Sequence, residues 1–304
     1  MTELKNLNHE AIFDLADNIY KISPSNLYKF NSERKAEWFL EQIAKFHNPD
    51  TNEYFLLGTV VHRAAEMYIK NRKIEYESLN SIIDIAEQPA NPEERFDKEY
   101  LKTQIEPMAN TVIRYMSDYN IPNKSEISLK TLIAPDIYVA GTYDALDQND
   151  GNNILIDFKT TSQKSEIKKM SDAYRLQLLT YAYILSKNDI HIDVGRIVYI
   201  SRNEIGRISE KTGKPMKDYP SEYTVIDMPI EDKDIAEIKE YLNLVADTID
   251  LYRNNPQLAY ILFCDPELKE DPTGKAKITR LLKERDELLR SQNIEPQDDM
   301  DSSF

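Results

Sequence analysis

The amino-acid sequence predicts an α/β fold, a central mixed β-sheet flanked by helices, with an N-terminal helical layer and a C-terminal helix added. Three observations predict it. Apolar residues recur at helical spacing up to about residue 119, then segments rich in Ile, Leu, Val, Tyr and Thr follow one another. Helical segments then alternate with further strands, which places helices against a sheet. Asp150-Gly151 lies between two of the strand segments and is a strong signal for a two-residue hairpin turn.

Residues 1–22 suggest a short helix. Ser23-Pro24 is a cap followed by proline at a first helical position, and opens a helix near 24–46. Helices are expected over 54–72 and 93–119, with a short one between them. Strands are expected over 127–134, 137–147 and 153–159, a helix over 171–187, strands near 192–200 and 222–229, and a helix over 231–253 that starts on the acidic pair Glu231-Asp232. Residues 254–274 form a Pro-rich connector. Residues 275–292 form a charged helix with Ile278, Leu281, Leu282, Leu288 and Leu289 at heptad-like spacing, and the acidic tail from Glu295 to Phe304 is expected to be disordered.

The chain has 304 residues, enough for a substantial apolar core, and 28 of them are Tyr or Phe, which excludes a disordered chain. Apolar runs such as Tyr54–Leu57 are far short of a bilayer span, so no membrane association is expected. The N-terminus carries acids and no apolar stretch of the secretory kind. A single cysteine, Cys264, excludes an internal disulfide and suits a reducing cytoplasm. The net charge of −15 opposes polyanions, so a nucleic-acid site must be local, built from a few basic groups and a divalent cation.

The hairpin carries the chemistry. If Asp150 and Gly151 are the loop, Asn149 pairs with Asn152 and Asp144 falls opposite Asp157. Opposed residues have Cβ atoms roughly 4.5–5.5 Å apart. Lys159 lies two residues on, on the same face as Asp157. Two facing carboxylates in an apolar strand repel, and a shared proton, a basic side chain or a bound cation would offset that cost. Lys159 is either a plain ion-pair partner or part of a metal site.

Two helical stripes point to the same place. Gly58, His62 and Glu66 are four apart on one face of an otherwise apolar helix, and Gly58 leaves room for a close backbone approach. Tyr174, Gln177 and Tyr181 share a face of another. Taken separately, each stripe is equally compatible with buried polar groups satisfied within the core.

Together these residues resemble the PD-(D/E)xK nuclease superfamily, in particular its RecB-like exonuclease branch, which includes the CRISPR adaptation nucleases. The matching elements are G-x3-H-x3-E at Gly58, His62 and Glu66, G-x2-D at Gly141 and Asp144, D-x-K at Asp157 and Lys159, and Q-x3-Y at Gln177 and Tyr181. The segment Ser23–Phe30 also resembles the opening of many relatives. The resemblance implies a restriction-endonuclease-like core over residues 22–265, preceded by an extension (1–21) and followed by the charged helix (266–294) and the tail (295–304). It implies that His62, Asp144, Asp157 and the carbonyl of Phe158 hold Mg²⁺ or Mn²⁺. Lys159 would orient or deprotonate the attacking water or stabilise the charge that develops on phosphorus. Gln177 and Tyr181 would grip the phosphodiester or orient Lys159, and Glu66 would act behind the ligands or on a second metal.

Many relatives carry four cysteines around an iron–sulfur cluster. With Cys264 alone, no cluster is expected here. The implied function is a metal-dependent DNA exonuclease leaving 5′-phosphate and 3′-hydroxyl ends, in recombination, repair or phage DNA processing. An endonuclease of the same fold and a non-catalytic DNA-end or partner-binding module are the alternatives. DNA contacts are expected from Lys164, Lys168 and Lys169 after the D-x-K strand, from Tyr174, and from Arg202, Arg207, Lys211, Lys214 and Lys217 in a later loop. The C-terminal helix or the acidic tail could meet a protein partner.

Overall fold

The computed structural model describes residues 20–31, 38, 52–89, 95–149, 151–162, 167–206, 213–214 and 218–255, with 287, 290 and 291 besides. The expectations for the first 19 residues, most of the 24–46 helix, the region of Cys264, nearly all of the C-terminal helix and the tail lie outside these residues. Among the described residues no helix is long and apolar enough to cross a membrane.

Residues Tyr20–Ile22 form a strand, β1, where the sequence suggested the end of a helix. The tertiary fold overrides the local reading because β1 pairs in parallel with the start of a later strand. A 3-10 helix follows at Pro24–Asn31. Helix α1 (Glu53–Asn71) starts where the side chain of Asn52 accepts from the Phe55 N–H at 2.9 Å. It buries Leu57, Val60, Val61 and Ala64 against α2 (Tyr76–Ile85), α3 (Lys98–Asp118) and the sheet. Strands β2 (Lys124–Ala134), β3 (Ile137–Asp147) and β4 (Ile154–Thr161) follow, then α4 (Asp172–Ser186), β5 (Val194–Ser201), β6 (Tyr223–Pro229) and α5 (Asp232–Asn254).

The sheet runs β1-β3-β4-β5-β6, with β2 also on β3. It is mixed: β1–β3 and β4–β5 are parallel, whereas β2–β3, β3–β4 and β5–β6 are antiparallel. One core lies between the sheet and α4 and α5 and includes Leu155, Ile197, Leu178, Leu242 and Trp38. The other lies between the sheet and α1 and α3 and includes Ile156, Phe158, Val198, Val61 and Met108. Period-two alternation along β4 assigns its residues to the two cores in turn. The architecture is thus α/β, with a mixed sheet flanked by helices.

The hairpin register is the one the turn dictates. Asn152 N–H reaches the Asn149 carbonyl at 3.4 Å, Gly151 has φ +80°, and the strands pair Ala145 with Ile156, Leu146 with Leu155 and Asp147 with Ile154. The ladder stops one pair short of Asp144 and Asp157. Strand β2 pairs along nearly the whole of β3, so β1 (beside Ile137–Val139) and β4 (beside Ala145–Asp147) must share its other edge. Between them, residues 140–144 of β3 have no strand partner on that edge. This gap is the fork that places the site.

Candidate active site

Side chains from five elements close the fork. Asp144 turns its carboxylate into the gap: Oδ2 accepts from the Phe158 N–H at 2.7 Å, a donor that a continued ladder would have paired, and Oδ1 lies 3.0 Å from His62 Nδ1 on α1. The simple expectation of two carboxylates side by side in a regular ladder is therefore modified. The register is as expected, but Asp144 reaches between the strands while Asp157 stays on the α4 side.

Asp157 is 3% exposed and is surrounded by donors. Lys159 Nζ lies 3.0 Å from its Oδ1 and 2.7 Å from its Oδ2, and Gln177 Nε2 donates to Oδ1 at 2.8 Å. Oδ2 nevertheless has no hydrogen bond of acceptable geometry, although it is fully shielded from solvent. The Lys159 ammonium balances that oxygen by charge at 2.7 Å, a place that a divalent cation could take instead.

Helix α4 enters with its capping Ser171, whose hydroxyl accepts from the Tyr174 N–H. The three residues of its polar stripe reach three separate targets. The ring of Tyr174 lies 5.0 Å from Lys159 Nζ, a cation–π contact that holds the ammonium. Gln177 holds Asp157. Tyr181 donates to the Thr142 carbonyl at 2.7 Å, supplying one hydrogen bond that β3 lacks at the fork. Gly141 is required beside it: a Cβ there would come within 2.6 Å of the Tyr181 hydroxyl and 3.0 Å of Pro24 Cδ. At Gly58 a Cβ would meet Thr160 Oγ1 at 3.9 Å, an ordinary contact, so the close approach expected there is absent.

The fork also holds a residue that the sequence reading missed. His62, Glu126 and Asp144 offer ligand atoms that all lie within 4.8 Å of one another. In the β2–β3 register Ser125 pairs with Ala145 and Ile127 with Tyr143, which sets Glu126 beside Asp144. Glu126, Asp144 and Asp157 therefore occupy one row across three strands. Glu126 is held at φ +51°, a left-handed conformation that costs a non-glycine residue about 1–2 kcal/mol. Neither a period-two count inside 127–134 nor a register counted from the β2–β3 turn would have found it, because the pairing shifts by one between Leu132 and Ala134.

The electrostatics follow from burial among like charges. Burial and then the Asp144 carboxylate push the Glu126 carboxyl up to about 7. Burial also raises Asp157, against the pull of Lys159. For His62, burial opposes the charge, but Asp144 outweighs it together with Asp157, and the pKa is raised. Burial likewise works against the Lys159 ammonium, yet Asp157 and Asp144 keep its pKa above the ordinary value. Carboxyl groups that resist ionisation among one another, beside a histidine, form a set of oxygen and nitrogen ligands that a divalent cation would stabilise, with the Lys159 ammonium next to them as a hydrogen-bond donor.

The remaining expected residues are placed as follows. Glu66 accepts from Lys70 Nζ at 2.7 Å and pairs with Arg63, both on its own helix, and is not among the three grouped ligands. Phe158 is buried with its ring edge-on to Tyr115. Lys168, Lys169 and Lys214 are exposed. Arg202 is buried rather than on a loop surface, ion-paired with Glu53 at 2.9 Å. Lys164, Arg207, Lys211 and Lys217 lie outside the described residues.

Residues 21–265 match the family model of the PD-(D/E)XK nuclease superfamily. The chain is 29% identical over 189 residues to a component of the ATP-dependent helicase/deoxyribonuclease of Streptococcus agalactiae, a match that covers 57% of this chain and 17% of the relative. The chain thus spans only a small part of that relative's length. Among solved structures, a proposed exonuclease from Eubacterium rectale aligns at TM-score 0.49 and 14% identity, over 82% of this chain and 87% of the other. LHK-Exo in complex with dAMP aligns at TM-score 0.33 and 14% identity, over 68% and 100%. The family match covers the β-fork, both polar helix stripes and the hairpin between them, and the chain belongs to the PD-(D/E)XK nuclease superfamily.

Proposed function

We propose that the chain is a divalent-cation-dependent DNA exonuclease that hydrolyses phosphodiester bonds to leave 5′-phosphate and 3′-hydroxyl ends, in recombination, repair or phage DNA processing. One observation carries this reading: His62, Glu126, Asp144, Asp157 and Lys159 meet at the one place where β3 and β4 separate. The His62–Glu126–Asp144 group fits Mg²⁺ or Mn²⁺; Asp157, expected as a ligand, is not among these three and is ion-paired with Lys159, so it would join them only by turning an oxygen from the ammonium to the cation. The carbonyl of Phe158 fits as well, because N–H and C=O of one strand residue face the same neighbour and its N–H faces Asp144. When bound, the cation would polarise the phosphoryl oxygen and lower the pKa of a water.

The protein's own groups divide the remaining work. Lys159, kept cationic by Asp157 and Asp144, is suited to donate hydrogen bonds to the attacking water or to the charge developing on the phosphoryl oxygens. A charged ammonium is poorly suited to serve as the base. Gln177 and Tyr174 fix Asp157 and Lys159 in place, and Tyr181 sets the fork itself. Glu66 neutralises Arg63 and Lys70 at the rim. The name of the streptococcal relative supports DNA as the substrate, and a protein partner could be met through the C-terminal helix or tail.

Asp157→Ala or Lys159→Ala should abolish Mg²⁺-dependent cleavage of linear DNA at a temperature where circular dichroism stays native-like. Undiminished cleavage by both variants would refute the assignment. End-labelled linear DNA against closed circular DNA separates exonuclease from endonuclease.

A further inference from the structure

The first turn of α1 exposes two adjacent aromatic side chains, Tyr54 at 54% and Phe55 at 65%. Rings so exposed on a helix that otherwise packs its apolar residues inward are unusual and call for a partner. Tyr54 is braced from behind: the Arg202 guanidinium lies 4.1 Å from its ring centroid. Arg202 is itself pinned, by Glu53 at 2.9 Å and by its own N–H to the Thr161 carbonyl at 3.1 Å. It is 7% exposed, and its Nη2 has no hydrogen-bond partner. A ring braced on one side by a buried guanidinium and open to solvent on the other has the makings of a surface that takes a base on its face.

The position is collinear with the candidate active site along two elements. Tyr54 is eight residues before His62 on α1, about 12 Å at 1.5 Å per residue. Thr161, to which Arg202 is tied, is four residues after Asp157 on β4, about 13 Å at ~3.3 Å per residue. Phe55, Thr59, His62 and Glu66 follow one stripe of α1. A distance of about 12 Å corresponds to three or four stacked nucleotides at ~3.4 Å each. Bases inside a duplex are already stacked on both neighbours, so a nucleotide three or four positions from the cut can present a free face to the rings only when its strand is unpaired.

We propose that Tyr54 and Phe55, backed by Arg202, form a stacking platform for an unpaired nucleotide of the strand being cut, and that the substrate class is a single-stranded or frayed DNA end. This rests on the exonuclease reading and deepens it.

The test uses the full chain carrying Asp157→Ala, which blocks cleavage, with Mg²⁺ and fluorescent oligonucleotides followed by anisotropy. Abasic residues are moved stepwise along a single strand, and a blunt duplex serves as the control. The parent should lose affinity when the abasic position reaches the platform. Tyr54→Ala with Phe55→Ala should weaken single-strand binding about 5- to 100-fold, change duplex binding little and remove the sensitivity to the abasic residue. Tyr54→Phe should bind as the parent does.

Equal affinity of the parent for intact and abasic strands would overturn the platform, as would equal loss of single-strand and duplex binding in the double variant. The abasic series on the parent decides the matter even if the double variant misfolds. Wild-type protein that cleaves DNA but shows no abasic effect defeats the platform alone. Wild-type protein that neither binds nor cleaves DNA defeats both readings.

Discussion

Glu126→Gln gives opposite results with and without a divalent cation. The Glu126 carboxyl rises from an ordinary 4.5 to about 7, chiefly by burial and then by Asp144. A tenfold change in a protonation equilibrium is worth about 1.4 kcal/mol, so this rise would be worth roughly 3 kcal/mol in the absence of solvent. Because the carboxyl is only partly buried, solvent screening reduces this to about 1–2 kcal/mol. The folded-state pKa lies above the unfolded one, so this contribution is present below pH ~4.5 and is lost as pH rises through about 7. At pH 8 with chelator, the wild type therefore holds an ionised Glu126 beside Asp144 at a cost that glutamine avoids. Glutamine keeps the size and the φ +51° backbone.

Thermal unfolding in chelator should thus show Glu126→Gln about 2–4 °C more stable than wild type at pH 8 and equal to it near pH 4. With saturating Mn²⁺ the order should reverse, because a cation stabilises the native state by an amount set by its affinity and the variant has lost an anionic ligand. A variant less stable than wild type at pH 8 in chelator, or one with the same Mn²⁺-induced gain, would refute Glu126 as a strained, cation-seeking carboxylate.

Gln177→Ala removes the amide that fixes Asp157 and should lower cation affinity or turnover about 10- to 100-fold, seen in a Mn²⁺ titration of cleavage rate, and should cost about 1–3 kcal/mol of stability. Tyr181→Phe leaves the Thr142 carbonyl without its donor and should cost about 1–3 kcal/mol in denaturant unfolding. Gly141→Ala should also destabilise, and less in the Tyr181→Phe background than in wild type, since the added methyl first meets the Tyr181 hydroxyl. Cation affinity should rise with pH through about 7 as Glu126 ionises, measurable by calorimetry with proton release on binding. Neutralising Lys168 and Lys169 together should reduce the salt dependence of single-strand binding by up to about 1.4 in log–log slope if both meet phosphates, and by nothing if they do not.

Local chemistry alone determined the hairpin. A tight turn at Gly151 admits one register, and the period of two then carries it along both strands, so the placing of Asp144 across from Asp157 was legible from the turn. The polar stripes at His62 and at Gln177 were legible for the same kind of reason, since a helix of fixed pitch puts residues three and four apart on one side. The target of each side chain was not. Gln177 reaches Asp157, Tyr174 reaches Lys159 and Tyr181 reaches a β3 carbonyl because α4 crosses the sheet at one particular angle, which no spacing within the helix encodes.

Two features belonged to the tertiary structure outright. The strand Tyr20–Ile22 forms because β3 offers it an open edge more than a hundred residues away. Glu126 joins His62 and Asp144 because β2 lies along the far side of β3, a pairing fixed by the packing of the whole sheet. Turn geometry and helical pitch act over a few residues and can be read along a chain; the meeting of separate elements depends on how their buried faces fit, which becomes definite only once both cores have closed.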